Sequence, residues 1–123
     1  MVSEPDKAWD LKARTKAFAL QCIKLVEALP NSDTGRVIGK QILRSSTSVG
    51  ANYRAASLAQ SKASFIAKLS IVLEEADECC YWLALIVESK LMSREKVNDL
   101  YDEAVEPTKI FAASRIKAKS NGN

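Results

Sequence analysis

A chain of 123 residues with 47% hydrophobic and 27% charged side chains is sized for one soluble domain around one core. Four Gly and three Pro are too few for an all-β fold with many tight turns, and suit long helices with short connections. A formal net charge of +3 permits nucleic-acid contact without requiring it. No histidine and only three cysteines (Cys22, Cys79, Cys80) argue against a zinc site or a disulfide framework.

Residues 1–7 are polar, contain Pro5 and read as a loose lead-in. The opening MVSEPDKAWD lacks the basic-then-apolar layout of a signal peptide, and no apolar run approaches the roughly 20 residues that span a bilayer. The expected protein is therefore cytoplasmic, makes no membrane contact and keeps its thiols reduced.

A first helix is expected over residues 8–29. At about 100° per residue, Leu11, Phe18, Cys22, Leu25, Val26 and Leu29 share one face. The Pro30-Asn31-Ser32-Asp33 segment ends it and supplies caps for the next helix. The second helix is expected over 34–59, with a core stripe of Ile38, Ile42, Ser45, Val49, Asn52 and Ala56. Its small residues let a neighbour approach closely. Gly50, which lowers helix propensity by up to about 1 kcal/mol, marks a place for a kink.

Ser61 is the natural N-cap of a third helix over 62–89. Its stripe of Phe65, Leu69, Val72, Ala76, Cys79, Leu83 and Ile86 is the most regular in the chain. A break at Leu91-Met92 leads to Ser93, a second cap candidate, with Glu95 in the first turn of a fourth helix. That helix carries Val97, Leu100, Tyr101, Ala104 and Val105. A kink or break is expected near Glu106, because Pro107 lacks an N–H and crowds the preceding turn. More helix follows through Ile110, Phe111 and Ile116, and residues 117–123 are expected to fray. The fold class is all-α: a single domain (1–123, core about 8–116) forming an antiparallel up-down-up-down four-helix bundle.

Two stripes remain outside this core. Arg36, Lys40, Arg44 and Arg54 lie at roughly 0°, 40°, 80° and 0° on the second helix, opposite its apolar stripe near 200°. They read as a solvated face, as a strip for phosphate backbones of RNA or DNA, or as partners for the acids Glu74, Glu75, Asp77 and Glu78 on the third helix. In an antiparallel hairpin, Arg44 pairs with Glu78 or Glu74 and fixes the register. The second stripe is apolar: Ile71, Trp82 and Leu85 on the third helix, with Leu43 and Leu58 on the outer face of the second. It suggests a protein–protein contact, self-association being the simplest.

Catalytic chemistry is missing from the pattern. Without histidine there is no Ser-His or Cys-His dyad, and the Ser45-Ser46-Thr47-Ser48 hydroxyls have no general base nearby in sequence. The acid cluster lacks the Glu-x-x-His pairs of dimetal bundles. The stretch from Gly35 to Lys40 has three residues between its glycines instead of four and follows no strand, so it is no phosphate loop. No enzyme activity, cofactor or metal is expected.

The combination of Leu43-Arg44-Ser45, Ser48-Val49-Gly50-Ala51-Asn52-Tyr53-Arg54, Phe65-Ile66 with Lys68-Leu69, and Tyr81-Trp82-Leu83 resembles one known family. These are the four-helix-bundle proteins encoded in intervening sequences of bacterial large-subunit ribosomal RNA genes, and the likeness runs from about Phe18 to Leu91. The resemblance implies an antiparallel bundle that assembles as a ring-like homopentamer. It also implies kinship with accessory proteins of diversity-generating retroelements, which bind nucleic acid and a reverse transcriptase through a basic bundle surface. For the intervening-sequence branch it implies no established activity.

Three positions depart from the family pattern. Ala55 stands where an acid usually follows Tyr-Arg, Ser64 stands where an acid precedes the Phe, and Pro107 is unexpected. The expected function is a non-catalytic, oligomeric bundle that binds nucleic acid through the basic second helix, a surface that Lys109, Arg115, Lys117 and Lys119 can extend. The alternative is a protein-interaction scaffold with no nucleic-acid contact.

Overall fold

The computed structural model describes the backbone of residues 4–120 and the side chains from Asp10 onward. Four helices follow one another: α1 (Glu4–Glu27), α2 (Asp33–Ser57), α3 (Lys62–Glu88) and α4 (Arg94–Ser120). They form an all-α up-down bundle in which each helix packs on its neighbours in sequence and α1 closes onto α4. The α2–α3 pairing is the most extensive, and the α1–α4 seam is the thinnest.

Helix ends follow local chemistry. Ser32 and Ser61 have extended backbones, and their hydroxyls accept from the N–H groups of Gly35 and Ser64 at 3.1 and 3.0 Å, capping α2 and α3. Gly35 must be a glycine for space: a Cβ there would lie 2.3 Å from the Pro30 carbonyl oxygen. Lys90 ends α3 in a left-handed backbone with φ of 63°. Its N–H donates to the Val87 carbonyl at 3.0 Å and that of Leu91 to Ile86 at 3.1 Å, a Schellman closure.

The core stripe of α3 is as expected from Leu69 to Ile86, while Phe65 is half-buried at its foot. On α2 the buried face is turned relative to expectation. Ser46 and Tyr53 join it, and Asn52, roughly 80° from Ile42 on the wheel, falls at its edge and is only half-buried. The glycines explain the rotation. A Cβ on Gly39 would meet Val26 at 3.1 Å and one on Gly50 would meet Thr15 at 3.3 Å, so this edge of α2 lies hard against α1. Gly50 thus serves close approach, and α2 runs unbroken through it.

Other boundaries need correction. Of the expected loose ends, residues 1–3 and 121–123 lie outside the described residues, whereas 4–7 and 117–120 are helical. Pro5 is tolerated in the first turn, where its missing N–H has no carbonyl to serve. At the other end Lys117 and Lys119 suit the negative pole of α4. Helix α4 continues through Pro107 without a break. The ring forfeits one helix bond but is buried against α1 and the core, lining a small void with Thr15, Phe18 and Ala104. The Thr108 hydroxyl adds a bond to the Ala104 carbonyl at 2.8 Å.

Candidate nucleic-acid interface

The four cations expected on α2 do not behave alike. Arg36 donates to Asn31 Oδ1 at 2.7 Å and pairs with Asp33, folding its charge back onto the start of its own helix. Arg44 reaches α3. Its Nη1 lies 3.2 Å from Glu75 Oε1, its Nη2 pairs with Glu78, and its Nε donates to Gln41 Oε1 at 3.3 Å. Lys40 and Arg54 are exposed and have no ion-pair partner among the described residues. At 1.5 Å per residue, Arg36 and Arg54 stand about 27 Å apart along one face.

Arg44 heads a ladder between α2 and α3. The Ser48 hydroxyl donates to Glu75 Oε2 at 3.2 Å, Asn52 Nδ2 donates to the Ser48 carbonyl and hydroxyl, each at 2.9 Å, and Trp82 Nε1 donates to Glu78 Oε1 at 3.0 Å. The expected Arg44–Glu78 pair is present. The second acid is Glu75 rather than Glu74, because one residue on a helix turns the side chain by about 100° and brings Glu75 to the α2 side. Asn52 accordingly bonds within α2 and reaches α3 only through Ser48.

The apolar stripe divides as well. Leu58 is 69% exposed and Ile71 37% exposed. Trp82 and Leu85 are half-buried and pack against the core, and Leu43 is half-buried beside α1 in a shallow cleft lined by Val26 and Leu29. Tyr81, 58% exposed with its ring edge-on to Trp82 at 5.0 Å, is the larger open surface here. Its place in the Tyr81-Trp82-Leu83 motif was the available signal.

The described thiols and hydroxyls are occupied structurally. Burial pushes Cys22 and Cys79 up to about 12, and the Cys79 thiol donates to Ser45 Oγ at 3.5 Å. Ser45 donates to the Gln41 carbonyl at 2.9 Å and Thr47 to the Leu43 carbonyl at 2.7 Å, so these hydroxyls satisfy helix carbonyls. Among the described residues no group of three or more His, Cys, Asp or Glu is arranged to hold a metal ion, and no helix is long and apolar enough to cross a membrane.

One feature of charge escapes the wheel of a single helix. No Asp or Glu occurs anywhere from Thr34 to Leu73, nor from Pro107 to Asn123. The bundle brings these two runs to one end. Tyr53 on α2 packs on Phe111 of α4 with ring centroids 5.1 Å apart, Arg115 Nη1 donates to Ser70 Oγ of α3 at 3.2 Å, and Ala118 lies beside the α2–α3 turn with Ala59 and Phe65. Arg54, Lys68, Arg115, Lys117 and Lys119 are thereby gathered at that end.

The family model described as 23S rRNA-intervening sequence protein matches residues 7–113. Among solved structures, the chain is similar to a protein with unknown function from the S23 ribosomal protein family of Bacteroides thetaiotaomicron. That match has 39% sequence identity and a TM-score of 0.79, covering 85% of this chain and 96% of that one. No curated protein matches the chain.

Proposed function

We propose a role that starts from an established membership: the chain belongs to the 23S rRNA-intervening sequence protein family. On our reading it is a non-catalytic, oligomeric helical bundle that binds the backbone of RNA or DNA through basic residues of α2. The observation that carries this reading is that α2 has no carboxylate after Asp33, while its exposed Lys40 and Arg54 have no ion-pair partner among the described residues. Unpaired surface cations are the groups that can displace counterions from phosphates. The non-catalytic part is supported by the absence of histidine and by buried, protonated thiols.

Self-association is supported by Leu58, Ile71 and the Tyr81–Trp82 pair, apolar groups at the surface of the single chain. A ring of five is the assembly that the family likeness suggests. A second reading, a protein-binding scaffold that never touches nucleic acid, rests on the same Tyr81–Trp82 surface, since exposed aromatic pairs are favoured at protein interfaces.

Light scattering at low and high salt, with and without a short structured RNA, tests the proposal. We expect a particle near five times 13.5 kDa that gains RNA mass at low salt and loses it at high salt. Lys40→Glu with Arg54→Glu should prevent the gain without changing the assembly. An oligomer that ignores RNA at every salt concentration would leave the scaffold reading, and a monomer that ignores RNA would refute both parts.

A further inference from the structure

The acid-free runs belong to three helices. The first straddles the α2–α3 turn, covering most of α2 and the opening turns of α3; the second is the last half of α4. In an up-down bundle the α2–α3 turn and the C-terminal end of α4 lie at the same pole. The contacts of Tyr53 with Phe111 and of Arg115 with Ser70 hold them level. Arg14, Arg36, Arg44 and Lys109 are matched by Glu103, Asp33, Glu75 with Glu78, and Glu106. Arg54, Lys68, Lys117 and Lys119 have no such match among the described residues. The described acid at this end is on α1, where Asp10 is exposed and Lys12 lies close to it in sequence.

We propose that docking of a nucleic-acid phosphate backbone centres on this pole, where the α2 face ends: Arg54 and Lys68 at the α2–α3 hairpin, and Arg115, Lys117 and Lys119 on the last turns of α4. The inference rests on the nucleic-acid reading above and fixes its location. In the closed bundle at about 10 Å spacing, the axes of α2 and α4 lie about 14 Å apart across the diagonal, the rise of about four nucleotides of one strand. Arg115 has a second task. By donating to Ser70 it ties the end of α4 to α3, so that Lys117 and Lys119 project from a held helix.

Leu58 and Ile116, 69% and 67% exposed, share the pole. Two exposed large apolar side chains at a pole with five cations favour a phosphate backbone over insertion into lipid. Contacts here would be to phosphates, with little sequence preference.

Fluorescence anisotropy of a labelled RNA hairpin, titrated with the full chain between about 50 and 200 mM salt, decides the matter. Lys117→Gln with Lys119→Gln, both exposed, should weaken binding at least about tenfold and reduce the log–log salt slope by about 2. Circular dichroism would check that the helices persist. Arg94→Gln with Lys96→Gln, both exposed at the N-terminal end of α4 and so at the far pole, should change affinity less than about threefold. The inference is overturned if the far-end pair costs as much as the pole pair, or if the pole pair costs nothing while the unaltered chain binds RNA. If the unaltered chain binds no RNA at any salt, the nucleic-acid reading fails and takes the pole with it. Binding to vesicles rich in anionic lipid that is lost in the pole pair, with RNA binding unchanged, would reassign the pole to a lipid surface.

Discussion

Lys90 holds a backbone conformation that a side chain disfavours. Its φ of 63° is set by the two hydrogen bonds that close the C-terminus of α3, and Leu91 completes the closure by packing against the core. A β-carbon in this region costs about 1 kcal/mol relative to glycine, partly offset by the larger entropy that glycine loses on folding. Lys90→Gly is therefore expected to stabilise the chain by up to about 1 kcal/mol, read as a raised urea midpoint at unchanged slope. A lowered midpoint would mean that the Lys90 side chain contributes something its backbone does not reveal. Gly35 is the opposite case: the space it leaves is filled by the Pro30 carbonyl, which is backbone and cannot move aside cheaply.

At the scale of elements, α1, α2 and α3 meet around two thiols. Cys22 of α1 and Cys79 of α3 are both fully buried, with Ser46 and Ser45 of α2 as their hydrogen-bonding neighbours. Burial is the main reason each thiol is raised to about 12, from an ordinary value of 9.0. The sign follows from linkage. The unfolded chain releases these protons first as pH rises, so the contribution to stability is complete below about pH 9 and is lost as pH climbs toward 12. Each thiol can contribute a slope of at most about 1.4 kcal/mol per pH unit. Urea midpoints at a series of pH values above 9 should fall more steeply for the native chain than for Cys22→Ala with Cys79→Ala; parallel curves would contradict this.

Helix packing also explains what was legible in the sequence. The α3 stripe could be read directly because one helix with neighbours on two sides buries a regular face. The α2 face could not be placed closer than some tens of degrees, because its orientation depends on how closely Gly39 and Gly50 let α1 approach. At Pro107 the kink-or-break expectation fails as to the break: α4 continues through it, with the ring buried. Of the candidate site, the Arg44–Glu78 pair followed from the register of the hairpin. The basic pole was legible in part: Arg115, Lys117 and Lys119 were read as an extension of the α2 cations, whereas Lys68 joins them only through the packing of α3 beside α4.

Across the whole molecule, closure is uneven. Helix α3 sits between α2 and α4 with extensive contact on both sides, whereas α1 meets α4 along the thinnest seam of the bundle. That seam is held by Arg14, whose Nε and Nη2 donate to the two oxygens of Glu103 at 2.6 and 2.9 Å, and a small void lies beside it between Thr15, Phe18 and Pro107. The hydrogen bond that Arg14 donates to Glu103 is the main reason its guanidinium holds its proton more tightly than usual. A bidentate, half-exposed pair of this kind contributes about 1 kcal/mol. Opening free energies should therefore be graded. Native-state hydrogen exchange is expected to give lower values for amides of α1 around Lys16 to Gln21 than for α3 around Val72 to Leu83, with Arg14→Gln lowering the α1 value by about a further 1 kcal/mol. One common value for both helices would mean that the bundle opens only as a whole. A graded result would identify α1 as the helix that can leave without disturbing α2, α3 and α4, the three that carry the basic pole.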